Sequence, residues 1–112
     1  MKEEFPIIKE WASTAKEIFL STTLFPRNVR GSLSSKIENY TLEVQDLLID
    51  AFYSKTKREY LLTLNNRLEK IRFLFRLSYD LRFVNEAKYL TLVKRVNKTG
   101  AMVGGWLKSC PS

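Results

Sequence analysis

Apolar residues recur along this chain at spacings of three and four, and no segment shows the strict alternation of a half-buried strand. Pro6 suits the first turn of a helix, where its missing N–H leaves no bond unmade. Beyond it, Ile7, Ile8, Trp11, Ala15, Ile18, Phe19 and Thr22 fall within roughly a third of the circumference at about 100° per residue. This predicts a first helix over 6–23. Leu24-Phe25-Pro26 ends it, because a residue before proline is pushed out of the α region. Asn28 is a good N-cap for a second helix over 29–54, with Ser32 or Ser35 as alternative starts around Gly31. Its stripe is Leu33, Ile37, Tyr40, Val44, Leu47, Leu48 and Ala51. Thr56-Lys57-Arg58-Glu59 reads as a capping box that opens a third helix over 57–82, with Leu61, Leu64, Leu68, Ile71, Leu74 and Phe75 on its inner face. Asn85 caps a fourth helix over 86–109, and Glu86 just inside it suits the positive end of the helix dipole. Tyr89, Leu92, Val93, Val96, Val103 and Leu107 share one face of it, and Pro111 lies beyond its end.

Four helices of about twenty residues are each roughly 30 Å long. Their connections are short, so neighbours should run antiparallel. An up-down-up-down four-helix bundle is the simplest way to bury all four stripes, and it makes residues 1–112 one all-α domain. Two of the helices carry more apolar residues than such a bundle needs. Leu62, Phe73 and Leu77 on the third, and Leu42, Ile49 and Tyr53 on the second, lie away from the inner stripes. A second stripe signals either a wider core or a partner surface. On the second reading these six residues form a subunit interface, and stripe alternating with polar strip around one helix suits a ring.

Charge bears on partners rather than on fold. The net charge is +7, and it is lopsided: residues 1–50 hold six basic and eight acidic side chains, while residues 51–112 hold thirteen and four. Such a field favours a polyanion, nucleic acid first and an anionic membrane surface second; the competing reading is a solvated basic face that serves solubility alone. The candidate nucleic-acid contacts are Arg58, Arg67, Lys70, Arg72 and Arg76 on the third helix and Lys94, Arg95 and Lys98 on the fourth. Arg72 and Arg76, four apart, are neighbours, and Arg58 shares their strip. The others point elsewhere, so positive charge wraps this half of the molecule. Arginine suits bidentate phosphate contacts. No recognition helix, RNP motif or zinc finger is visible, so the expected mode is backbone binding with steep salt dependence and little sequence readout.

Catalytic chemistry is hard to assemble from these residues. The chain has no histidine and a single cysteine, Cys110. That excludes a Cys/His metal site and a Ser-His or Cys-His nucleophile. Neither a G-x-x-x-x-G-K-[ST] nor a G-x-G-x-x-G pattern occurs. Gly100, Gly104 and Gly105 fall inside a helical pattern, where they suit close helix–helix approach beside Trp106. The chain therefore reads as non-catalytic, with no cofactor and no metal. A cytoplasmic location fits the lone cysteine and the lack of a signal-peptide pattern, and no apolar run reaches membrane-span length. The alternative function is a structural bundle that binds another protein through its second apolar stripe without touching nucleic acid. Attachment to anionic lipid is weaker, because no helix pairs a basic face with exposed Trp, Phe and Leu.

Four segments add a family resemblance: Phe25-Pro26-Arg27 at the first hinge, Ile37 to Ala51, Leu68-Glu69-Lys70-Ile71-Arg72-Phe73-Leu74-Phe75-Arg76-Leu77-Ser78-Tyr79-Asp80-Leu81, and Val103-Gly104-Gly105-Trp106-Leu107-Lys108-Ser109. In these the chain resembles the Avd proteins, accessory variability determinants of diversity-generating retroelements. They sit within a wider four-helix-bundle group that includes proteins encoded in ribosomal RNA intervening sequences. The Gly-Gly-Trp ending, taken with the third-helix block, favours Avd over the ribosomal group. The resemblance implies a pentameric ring of four-helix bundles, basic on its surface, that binds nucleic acid and a reverse transcriptase. Without catalysis of its own, it would support mutagenic, template-primed cDNA synthesis by that polymerase. Arg72 and Arg76 match basic positions of the family's block, whereas Phe73 and Phe75 are bulkier than that block leads one to expect.

Overall fold

The computed structural model describes residues 5–111. Four α-helices, α1 (Pro6–Thr22), α2 (Ser35–Tyr53), α3 (Lys57–Asp80) and α4 (Glu86–Ser109), account for most of them, and no strand occurs among the described residues. The body measures 43 × 26 × 24 Å. Each helix packs on two others: α1 and α3 each lie against α2 and α4. Partners across each seam run in opposite senses, as with Glu10–Lys98 and Glu17–Lys88 between α1 and α4, or Arg72–Asn97 and Tyr79–Tyr89 between α3 and α4. The expected all-α class and the antiparallel four-helix arrangement are both present.

The inner stripes form one core. Trp11, Ile18, Ile37, Val44, Leu48, Leu61, Leu64, Leu68, Ile71, Phe75, Leu92, Val96 and Val103 are buried. Trp11 can enter because its indole N–H donates to the Thr41 carbonyl at 3.0 Å, so no donor is orphaned. On α1 the stripe is rotated slightly from expectation. Thr14 and Ser21 are buried, while Ala15 and Phe19 are only half-buried.

Several local expectations need correction. The second helix does not start at residue 29. Pro26, with ψ 145°, leaves the chain extended; a 3₁₀ turn (Arg27–Val29) and a π turn (Arg30–Ser34) follow, and α2 begins only at Ser35. Asn28 thus lies within the 3₁₀ turn and caps nothing. The Thr56–Glu59 capping box does not form, because Ser54 competes for it: the Thr56 N–H donates to Ser54 Oγ at 3.0 Å, and the Thr56 side chain makes no cap bond. Lys57 ties the hairpin instead. Its ammonium donates to the carbonyls of Ala51 (2.9 Å), Phe52 (3.1 Å) and Ser54 (2.6 Å), capping the negative end of α2. The third helix stops at Asp80 rather than at Arg82, which has φ 65°. There Arg82 N–H donates to Tyr79 O and Phe83 N–H to Ser78 O, both at 2.9 Å, which is a Schellman end built without glycine. Asn85 caps α4 as expected, accepting from the Lys88 N–H at 2.8 Å. Finally, a Cβ at Gly104 or Gly105 would meet nothing within 4 Å. These two glycines therefore permit no close approach within the chain; only Gly100 lies near another helix, beside Arg72 and Leu68.

Candidate nucleic-acid interface

The structure separates the eight candidate cations into two groups. Five hold acidic partners. Arg67 on α3 donates through Nε to Glu43 on α2. Arg72 donates from Nε to Asn97 Oδ1 at 3.1 Å; its Nη1 lies 3.2 Å from Glu69 Oε1, near enough for attraction but not aligned for a hydrogen bond. Arg76 reaches Asp80 at 3.1 Å, one turn along the same helix. That carboxylate holds the Arg76 guanidinium above the usual arginine range, first through the hydrogen bond and then through charge. Arg95 donates to Ser13 Oγ at 2.7 Å and lies 3.7 Å from Glu10, and Lys98 lies 3.2 Å from the same carboxylate. Of the neighbouring pair expected on one strip, Arg72 is half-buried and folded against α4, while Arg76 stays exposed beside Asp80.

Arg58, Lys70 and Lys94 form no ion pair among the described residues, and all three are exposed. They are not brought together. Arg58 stands at the α2–α3 hairpin end, beside an apolar pocket lined by Leu62, Trp106 and Pro111. Lys94 is on α4. Lys70 lies in the α2–α3 groove, 5.6 Å from the centre of the Tyr40 ring, and Lys36 approaches the same ring at 5.3 Å. Sequence reading assigned Tyr40 to the core and passed over Lys36; the signal was the pairing of 40 with 70 in antiparallel α2 and α3, which needs the register.

The ion pairs between helices share a pattern. Among the described residues, each joins an acid of the first half to a base of the second: Glu43 to Arg67, Glu17 to Lys88, and Glu10 to Arg95 and Lys98. The hydrogen bond and charge of Lys88 hold the Glu17 carboxyl below its ordinary range. Folding therefore lays the acidic half of the sequence on the basic half and cancels part of the latter's surplus.

The proposed interface residues are where a partner could reach them. Leu42, Tyr53, Leu62, Phe73 and Leu77 are exposed, Phe73 by 72%, and Ile49 is half-buried. They are not needed for the core of the single chain. No group of three or more potential metal-ligating side chains gathers among the described residues, and no helix there is long and apolar enough to cross a membrane.

The fold and its surface define a small basic helical bundle that leaves apolar side chains exposed, most of them on α2 and α3 and others, such as Leu20 and Leu90, on α1 and α4. The chain matches the model of the family described as bAvd-like over residues 7–110, and it belongs to that family. A search among curated proteins gives no match.

Proposed function

We propose that this protein is a non-catalytic accessory protein of a diversity-generating retroelement, binding nucleic acid and a reverse transcriptase through its basic surface and so supporting mutagenic cDNA synthesis in the cytoplasm. The observation that carries this reading is the family match over nearly the whole chain. Physical support comes from the net charge of +7, which persists after the ion pairs form, and from exposed cations, Arg58, Lys70 and Lys94, that form no ion pair among the described residues. The exposed apolar residues Leu42, Tyr53, Leu62 and Leu77 suit assembly into the homo-pentameric ring that the resemblance implies. In a ring, modest charges on each subunit add into one polyvalent surface. The same apolar residues favour a second reading, a bundle that binds only protein.

Fluorescence anisotropy with labelled RNA and DNA of mixed sequence separates the two. The first reading expects binding with little sequence preference, weakening at least about tenfold between about 50 and 200 mM salt. A purified protein that retains no polynucleotide at low salt leaves the protein-only reading. Mass in solution tests the ring: five chains are expected, and a stable monomer would remove it.

A further inference from the structure

We propose that the α2–α3 groove at Tyr40 is a stacking subsite for unpaired bases, through which this chain prefers single-stranded nucleic acid. The proposal rests on the nucleic-acid reading above and narrows it to one place. The groove is a cleft of about 380 Å³ lined by Lys36, Tyr40, Glu69, Lys70, Phe73 and Leu74. That volume lies in the range of about 300–1,000 Å³ typical of clefts that hold small ligands. Phe73 stands at its rim with 72% of its surface exposed. The half-buried Tyr40 ring is approached by Lys36 from α2 and by Lys70 from α3.

The chemistry of this cluster is that of a strand-binding site: the exposed Phe73 ring, on which a base can lie, shares the cleft with two ammonium groups that can meet backbone phosphates. Neither lysine has an ion-pair partner among the described residues. The one carboxylate in the lining, Glu69, is drawn toward Arg72 at 3.2 Å, which lessens its repulsion of a phosphate. In a duplex the faces of the bases are occupied by their neighbours, so these rings have nothing to stack against. A polyanion is the better occupant than a second copy of the chain, since it brings to two lysines without an ion-pair partner among the described residues the opposite charge that a chain of net charge +7 lacks overall. On this proposal Phe73, counted with the subunit interface on sequence grounds, serves the groove instead.

The test measures binding of the full chain to a fluorescein-labelled oligothymidylate of roughly 20 nucleotides and to a duplex of equal length, alongside mass in solution. Phe73→Ala should weaken the single strand about tenfold, leave the duplex within about twofold, and leave the mass unchanged. Phe73→Trp should restore single-strand affinity and add indole fluorescence that the oligonucleotide quenches. Lys36→Gln with Lys70→Gln should lower the salt slope for the single strand by about 1.4. Three results overturn the proposal in distinguishable ways. If Phe73→Ala binds the single strand as well as the parent while the lysine variant binds both probes less well, stacking is wrong and nucleic-acid binding stands. If Phe73→Ala breaks the assembly, the ring belongs to a subunit contact. If the parent chain binds neither probe, the subsite and the wider reading fail together.

Discussion

Along the seam between α1 and α4, every basic side chain with a partner across the seam faces acid: Lys88 meets Glu17, and Arg95 and Lys98 share Glu10. In the groove between α2 and α3, Lys36 and Lys70 meet the ring of Tyr40 instead. The two surfaces draw on the same surplus of positive charge and differ in what is left when a phosphate arrives. A phosphate that recruits Arg95 must take it from Glu10 and then sit beside the released carboxylate. One that recruits Lys70 gives up a cation–π contact worth about 0.5–1 kcal/mol, and no acid is uncovered. Exposed ion pairs are themselves worth only about 0–1 kcal/mol, so the distinction lies less in their strength than in the local charge they leave behind.

The largest expected effect contrasts the two surfaces directly. Lys36→Glu with Lys70→Glu should weaken oligonucleotide binding on the order of 100-fold at low salt, because two attractions become two repulsions. Arg95→Gln with Lys98→Gln should cost far less, on the order of threefold, since Glu10 already offsets one of their two charges and stands beside both. Anisotropy titrations of the two double variants decide it, and equal losses would erase the distinction. Next in size is Glu10→Gln. This change releases Arg95 and Lys98 together, and affinity should rise about fivefold at low salt, fading as salt screens the gain. An unchanged affinity would mean that the seam is not available to a polyanion even when its acid is gone.

A smaller effect separates neighbours on α3 by stability. Arg72 lies across to α4, donating to Asn97 and resting beside Gly100. Arg72→Ala should lower unfolding stability by about 1 kcal/mol, through lost packing of the stem as well as the lost bond. Lys70→Ala should cost less than about 0.5 kcal/mol, the usual range for an exposed surface position. Urea titrations that reversed this order would show Arg72 to be more available, and Lys70 more structural, than their surroundings indicate.

The stripes made the four helices legible in the sequence, because each helix needed one buried face and Trp11, Val44, Leu68 and Val96 announce theirs at spacings of three and four. Asn85 was legible as a cap for a similar reason: its side chain acts on the backbone three residues away. The failures came where two local options compete, or where partners lie far apart in sequence. Ser54 won the Thr56 N–H that the capping box required, and no pattern shows that Lys57 reaches back to three carbonyls. The glycines of α4 were read as packing sites because glycine allows close approach, yet whether a helix lies opposite depends on the rotation of α4. Among the candidate contacts, Arg67, Arg95 and Lys98 were legible as bases but not as partners of Glu43 and Glu10, which are more than twenty residues away. A charge count adds these acids and bases without regard to position. Only the packing of α1 on α4, and of α2 on α3, decides which of them cancel.

The smallest expected effect tests whether the seam is held by charge at all. Lys88 holds the Glu17 carboxyl below its ordinary range in the folded chain, whereas in the unfolded chain that carboxyl returns to the ordinary value. A group whose pKa falls on folding stabilises the fold fully above its unfolded value, and loses that contribution as pH falls through its folded value. Glu17→Gln should therefore lower Tm slightly near neutral pH. The difference from the parent should close as the medium is made acid, starting in the ordinary glutamate range and complete below the lowered folded value, where both chains carry an uncharged side chain at residue 17. Because the pair is partly exposed, the neutral-pH difference should also shrink as salt is added. Thermal unfolding of the two chains between about pH 7 and pH 3 measures it. A difference that persisted undiminished in acid would assign the effect of Glu17 to its packing on α4, and the contrast between a seam closed by charge and a groove left open to phosphate would lose its electrostatic basis.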